Sequence, residues 1–422
     1  MACRMKLFLA GTLSILAFSA MAQLDIAGNE RIFLEKKQLY LRQGENKGLV
    51  GITANYHVNS GSIDNSFLKQ ALYGGYIDEE TKQSTFGNLK TKNRAGLMFN
   101  GGLVGAVRKD SYTIVAGITH NEYFSAVNKP DFFKLIFSGN KQFEDKHANL
   151  SNTSIQYFNY QGLTVGLHKQ LEGKNIILGG GLSIIRGGSL QSLSMKRGDF
   201  YTAPGGHYID FDTDISLSFS NSDKRAIPRS NGIGAGIDLS LSAFTEKSTF
   251  NFEIKDLGFI SWSNINNYQG SGLYRFDGIK VKDIFQVNDS VFTGLNADSI
   301  SAQLGLAKNR KKVNTALPSQ FGANYTYYFS PKFTLATGVK YVLSPAYVPR
   351  VYIKPIYNVS EGFSIIPTVA YGGFGGLDFE LGVVKNFNDK LLISANLFYL
   401  EYLIAPTSSS GHGFNVSLFK TF

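Results

Sequence analysis

Apolar and polar residues alternate with a period of two along much of the chain. Over Ile209–Ser220, Ile209, Phe211, Thr213, Ile215, Leu217 and Phe219 form one set, and Asp210, Asp212, Asp214, Ser216, Ser218 and Ser220 the other. That period puts the two sets on opposite faces of a strand. The pattern resumes with Ile233, Ala235, Ile237, Leu239, Leu241 and Ala243 against Gly232, Gly234, Gly236, Asp238, Ser240 and Ser242. After a turn at 245–248, Phe250, Phe252 and Ile254 alternate with Asn251, Glu253 and Lys255. Three consecutive strands with short connections predict a meander.

Similar segments occur at 49–58, 96–108, 112–119, 154–171, 176–186, 268–282, 320–329, 333–343, 347–359, 363–371, 377–387, 391–403 and 413–422. These make sixteen candidate strands, of which one or two lie outside the main sheet or merge. Most reach the roughly 9–11 residues that a tilted strand needs to cross a bilayer. Strands of a soluble β-sandwich also alternate but average nearer 5–6 residues. Long strands whose polar face carries Ser, Asn, Asp and Gly suit a hydrated lumen, so the expected fold is all-β, a single transmembrane antiparallel barrel. Three stretches break the period. Residues 67–76 have helical spacing, 131–137 read as a short amphipathic helix after Pro130, and 287–312 are long and polar. The two helices are candidate plug or loop elements.

Both chain ends fit this architecture. Arg4 and Lys6 precede an apolar run at 7–18, and Ala20 and Ala22 put small residues where signal peptidase inspects them, so the mature chain is expected to begin at Gln23. The run is too short to span a bilayer comfortably as an anchor. The expected organisation is a cleaved signal peptide at 1–22 and an outer-membrane barrel at 23–422. At the other end Phe414, Val416, Leu418 and the terminal Phe422 share one strand face, an aromatic-terminated pattern of the kind the barrel-assembly machinery recognises; Lys420 interrupts it and can snorkel to the interface. An ordinary edge strand would also alternate in this way.

Composition narrows the function classes. Charged residues are 18% and aromatic residues 13%, with 45 Gly, 22 Tyr and 33 Phe. Cys3 is the only cysteine and lies in the leader, so the mature chain has no disulfide, catalytic thiol or thiolate metal site. Without Arg4 and Lys6, 40 basic residues face 32 acidic ones. For an exported protein this excess points to outer-membrane lipid and lipopolysaccharide phosphates rather than nucleic acid. The basic clusters Lys90, Lys92, Arg94 and Lys308, Arg310, Lys311, Lys312 have the same reading.

No motif carries catalytic or cofactor chemistry, so no enzyme, cofactor or metal is expected. Asp210, Asp212 and Asp214 form a carboxylate row, but Ile215 stands where a calcium-binding loop needs Gly. A solvated row paired with basic neighbours is the plainer reading. His57, His120, His147, His168, His207 and His412 show no zinc-ligand spacing. Gly179–Gly181 and the Gly232, Gly234, Gly236 series lack a phosphate-loop Lys-Ser/Thr and sit within strand patterns, where Gly permits close backbone approach. No Gly-x-Ser-x-Gly element occurs.

One stretch resembles a known family. Residues 250–262 end in Asp256, Leu257, Gly258, Phe259, Ile260, Ser261 and Trp262. They are similar to the D-L-G-F-I-x-W element of a large outer-membrane family of Bacteroidota known only as a domain of unknown function. Phe132-Phe133-Lys134-Leu135 leading to Gly139, Asn140 and Phe143, and Leu317-Pro318 opening a strand, are further matches. The family is distantly like fatty-acid transporter barrels and the barrel subunits of type IX secretion. The resemblance implies about 14 strands, within a range of 12–16, and no assigned activity. From the residues alone, Trp262 suits a membrane–water interface; a turn aspartate, a bulge glycine and a packing aromatic explain the element equally well.

Two function classes follow. Passive passage of a small or hydrophobic molecule predicts a lumen with a plug and an apolar pocket, and a lumen packed solid with side chains argues against it. A structural or assembly role predicts an envelope protein partner and no conductance.

Overall fold

The computed structural model describes residues 48–73, 76–109, 111–220, 230–277, 307–387, 390–406 and 409–422. The expected cleavage positions Ala20, Ala22 and Gln23, and residues 278–306 of the polar stretch and its approach, lie outside them. The described strands form one closed antiparallel sheet of fourteen columns. β1 (Gly48–Ser60), β2 (Asn93–Lys109), β3 (Tyr112–Asn128), β4 (Lys146–Asn149), β5 (Thr153–Gln170) and β6 (Ile176–Thr202) make up the first part. β7 (Ile209–Ser220), β8 (Gly232–Phe244), β9 (Ser248–Phe276), β10 (Ala307–Ala316) and β11 (Gln320–Tyr328) follow. β12 (Phe333–Val342), β13 (Val348–Ser360), β14 (Phe363–Gly373), β15 (Leu377–Phe387), β16 (Leu391–Phe398) and β17 (Gly411–Thr421) complete the circuit. β17 closes on β1, from Leu49 opposite Thr421 to Asn59 opposite Gly411.

Seventeen strands make fourteen columns because two columns are composite and β4 is not part of the barrel wall. β6 and β9 have 27 and 29 residues. Between them β7 pairs with their upper halves and β8 with their lower halves. β10 and β11 likewise pair with successive halves of β9. β4 pairs only with β6, above the barrel. This corrects the expected meander: β7 and β8 run the same way, end to end, because each is half as long as its neighbours. Segments 250–255 and 268–282 join within β9, and a second half of β6 and all of β10 were not expected as strands.

Every connection at the end that holds Gly48 and Phe422 has two to five residues; the long ones between columns all lie opposite, beside the short β12–β13 and β14–β15 connections. Outer-membrane barrels put short turns in the periplasm and long loops outside. Large apolar side chains, including Ile114, Leu163, Val165, Leu182, Ile184, Ile233, Val351, Ile353 and Val369, stand exposed on the outward face. They form the lipid-facing band of a spanning barrel. No described helix is long and apolar enough to cross a membrane. The protein is an outer-membrane β-barrel.

The predicted helices occur, but not as a plug. α1 (Asn65–Tyr73) and α2 (Glu79–Asn88) lie in the β1–β2 loop and α3 (Pro130–Ser138) in the β3–β5 loop. Pro130 opens α3 and Gly139, at φ 75°, ends it, as expected of residues suited to those positions. Phe67, Phe133 and Phe137 stack with centroids 4.6–4.9 Å apart. Phe132 packs instead in a cluster with Met195 of β6, Ile215 of β7 and Tyr268 of β9. Both clusters are separate from the apolar layer of the lumen. A short α4 (Glu401–Ile404) follows β16.

Candidate functional site

Inward-facing side chains sort into three layers. Near the periplasmic end Leu49, Val104, Ala336, Ile356, Ile366, Val384, Leu392 and Phe419 form a buried apolar arc. Near the extracellular end Tyr123, Phe158, Tyr160, Leu190, Ile260, Trp262, Leu317, Val342, Tyr347 and Phe374 form a second cluster. Two of its contacts are chords that skip columns: Phe158 meets Trp262 edge-on at 6.4 Å, and the Tyr160 hydroxyl donates to Asp256 Oδ2 at 3.3 Å. Phe374, from the β14–β15 turn, closes the circuit by reaching Gly96 on β2.

Between these layers runs a polar belt that only strand register reveals. Asn396 stands opposite Asn415, Asn415 opposite Asn55, Asn55 opposite Asn100, and Asn100 opposite Asn121. Five asparagines therefore occupy one level on five successive columns. Asn100 Nδ2 donates to Asn121 Oδ1, and Asn121 Nδ2 donates to Thr119 Oγ1 at 3.1 Å. At the other end Asn396 Nδ2 donates to Glu380 Oε2 at 3.1 Å. There Arg350 bridges two buried carboxylates, donating to Asp378 Oδ2 at 2.5 Å and to Glu380 Oε1. The Tyr399 N–H donates to Asp378 Oδ1 at 3.0 Å. A buried guanidinium shared by two carboxylates is stable only with its hydrogen bonds made, as here. None of these residues was singled out in the sequence. Each reads there as one polar position on an alternating strand, and alignment across columns is a register property.

The D-L-G-F-I-x-W element sits where β9 changes partner. Lys255 pairs with Gln320 of β11 and Phe259 with Ala316 of β10, so Asp256–Gly258 face the Leu317-Pro318-Ser319 junction. Asp256 adopts φ 53°, a left-handed conformation that Asp tolerates better than most residues. Its N–H donates to Asp238 Oδ1 at 2.8 Å, and its carbonyl accepts from Ser319 Oγ at 2.9 Å. A Cβ on Gly258 would collide with the Ala235 carbonyl, and one on Gly234 with that of Phe259. Two sequence motifs of the resemblance thus meet at one wall junction, as an aspartate turn, a bulge glycine and packing aromatics.

Trp262 corrects the interfacial expectation. It is 0% exposed, faces the lumen, and donates from Nε1 to Thr315 Oγ1 at 2.8 Å. Phe250 and Phe252 face lipid at even positions, yet past Asp256 it is Leu257 and Phe259 that are exposed and Ile260 and Trp262 that are buried. The bulge reverses which parity points inward.

Other singled-out residues fall into place singly. Phe414, Val416 and Leu418 face lipid together, Lys420 is exposed on the same parity, and Phe422 ends the chain beside Gly48. Asp210 takes two bonds of 2.7 Å from Arg275, and Asp212 pairs with Arg197 at 3.0 Å, in the solvated upper sheet. His147 pairs with Asp199 at 2.8 Å, and His120 lies 3.3 Å from Glu122. Among the described residues no cluster of His, Cys, Asp and Glu could hold a metal ion.

Several solved structures are similar to this chain. A deletion mutant of the TodX monoaromatic hydrocarbon channel aligns at 9% identity and a TM-score of 0.48, covering 96% of each chain. The toluene transporter TbuX of Ralstonia pickettii aligns at 9% identity and 0.44, covering 89% of this chain and 90% of its own. The translocator domain of the autotransporter NalP from Neisseria meningitidis aligns at 9% and 0.35, covering 93% and 95%. A comparison with curated proteins finds no match. The model of a family of unknown function, DUF5723, matches residues 46–396, which span both motifs at the wall junction and the strands from β1 through β15, and the chain belongs to that family.

Proposed function

We propose that the barrel carries small hydrophobic molecules inward across the outer membrane by gated passage. The observation that supports this is the upper lumen layer, an apolar cluster of fourteen buried residues, six of them aromatic, capped by one side chain from an extracellular turn. Such a layer accepts an apolar solute that water and lipopolysaccharide disfavour. Below it the asparagine belt offers amide donors and acceptors to water. In this reading Phe374 obstructs the layer at rest, and passage needs movement of the turn that carries it. No covalent step is part of this reading.

The test is uptake of labelled toluene and of sucrose by cells whose outer membrane contains or lacks the protein. Toluene uptake should rise over the control while sucrose uptake does not; equal rates for toluene with and without the protein would defeat the proposal. The same packed apolar layer also favours a second reading, a structural or assembly component of an envelope complex. Co-purification of one envelope protein, with no solute-dependent permeability, would replace the first reading by the second.

A further inference from the structure

The turn between β14 and β15 reads Tyr371-Gly-Gly-Phe-Gly-Gly-Leu377. Phe374 is the only side chain between the two glycine pairs, and it is 1% exposed. Gly372 and Gly373 take φ of 113° and 76°, conformations that L side chains rarely adopt. The Gly372 N–H donates to the Gly376 carbonyl at 3.0 Å, which closes the turn on itself. The turn reaches past the columns of β16 and β17 to β1 and β2. There the Phe374 ring fills the space above Gly96, so that any Cβ at Gly96 would collide with it. Tyr347 meets the ring edge-on at 5.0 Å and 87°, and His57 lies 6.1 Å away at 39°. The ring sits in a cage formed by Gly96 and His57 of the wall and by Tyr347 of the β12–β13 connection, none of them part of the turn that carries it.

We propose that this cage is a binding site for a single six-membered aromatic ring, which the protein's own Phe374 occupies at rest, and that an incoming monoaromatic molecule opens the lumen by displacing it. The inference rests on the passage reading and names its ligand class and gate. Three features support it. The occupant is a benzyl group, so the cage already fits a ring of that size. The edge-on contact with Tyr347 favours an aromatic over an aliphatic guest. Apart from Phe374 the turn carries no side chain; Gly376 faces open space, while Gly375 lies against Asn59 and Gly372 against the Pro349 carbonyl, so the ring and its turn move together when the ring's contacts are replaced. A tethered occupant lowers apparent affinity by the fraction of time it holds the site, and removing it restores that factor.

The full-length protein in liposomes, carrying Cys3→Ser and a spin label at Gly376→Cys, tests this. Adding toluene should mobilise the label, and methylcyclohexane should not. Phe374→Gly should free the label without ligand and bind toluene roughly tenfold more tightly or better. Gly96→Val should also free the label, by filling the cage, and should abolish toluene binding. Heat-dependent gel mobility confirms that each variant is folded. Opposite effects of the two variants on toluene binding support the site. Equal responses to toluene and methylcyclohexane overturn its aromatic character. An unmoved label, with Phe374→Gly binding toluene no better than the parent, overturns the site even if cells still take up toluene. Displacement and tighter binding without uptake would leave the site standing and defeat the passage reading instead.

Discussion

The two sides of the barrel wall are built differently. From β12 through β17 to β1 the strands have 8–13 residues, and register is unbroken except near the ends of the β13–β14 pair. From β5 to β11 the wall holds the two longest strands, both composite columns, and register shifts at Asn159/Tyr160, Met195/Arg197, Ile237/Leu239 and Lys311/Val313. The regular side carries the buried ion cluster and most of the asparagine belt. The composite side carries the family motif, Trp262 and the sheet that rises above the membrane. Regular strands set a chemically uniform level around the lumen, whereas bulges re-aim side chains and let the wall change partners.

The sharpest way to break this comparison is at Arg350. Arg350→Met leaves Asp378 and Glu380 buried without their cation and should cost about 3–5 kcal/mol. Urea unfolding in liposomes measures it; a loss below about 1 kcal/mol would mean the regular side does not depend on its ion cluster. On the composite side Gly258→Ala should cost about 1–3 kcal/mol, since the new methyl meets a backbone carbonyl that cannot step aside. A silent substitution there would show the junction to be loose. Trp262→Phe keeps an aromatic ring but loses the bond to Thr315 and some volume, for about 1–2 kcal/mol by the same assay. Trp262→Phe should also leave the regular side unchanged in hydrogen exchange.

The smallest effect is expected at Asp78, outside both halves of the wall. Its side chain accepts from the Thr81 N–H at 2.7 Å at the start of α2. That amide bond holds the carboxyl below its ordinary value. The folded form therefore gains from the charged carboxylate above the ordinary carboxylate range, and the gain disappears as pH falls through the lowered value. Asp78→Ala should speed amide exchange in residues 79–88 at neutral pH and change little at pH values below the carboxylate range. Equal acceleration at both would assign the effect to packing rather than to the charge.

How much was legible follows the local strand period, on the composite side as well as the regular one, since 209–220 is β7 and 154–171 is β5 within a residue. Candidate segments at 320–329, 333–343, 363–371 and 377–387 match β11, β12, β14 and β15 closely, because nothing interrupts their period. Trp262 reads in the sequence equally as an interfacial or a packing residue, and only the left-handed turn at Asp256, which breaks the alternation counted from Phe250, turns it to the lumen. The two ends of β9 read as separate segments for the same reason, and the second half of β6 does not read as a strand at all. Asn55, Asn100, Asn121, Asn396 and Asn415 were each visible as polar positions and as nothing more. Arg350, Asp378 and Glu380 come together only because β13 and β15 flank β14.

By itself the sequence determined that the chain forms long two-faced strands and where most of them run. Side-chain alternation is local, set by backbone geometry within a few residues, and it survives without knowledge of any partner. Only the tertiary structure decided the column count, the stacking of β7 on β8, the inward turn of Trp262, the asparagine belt and the seat of Phe374. Each of these depends on which strand lies beside which, and in what register. Those choices are made by contacts between residues up to hundreds of positions apart, so no local pattern records them.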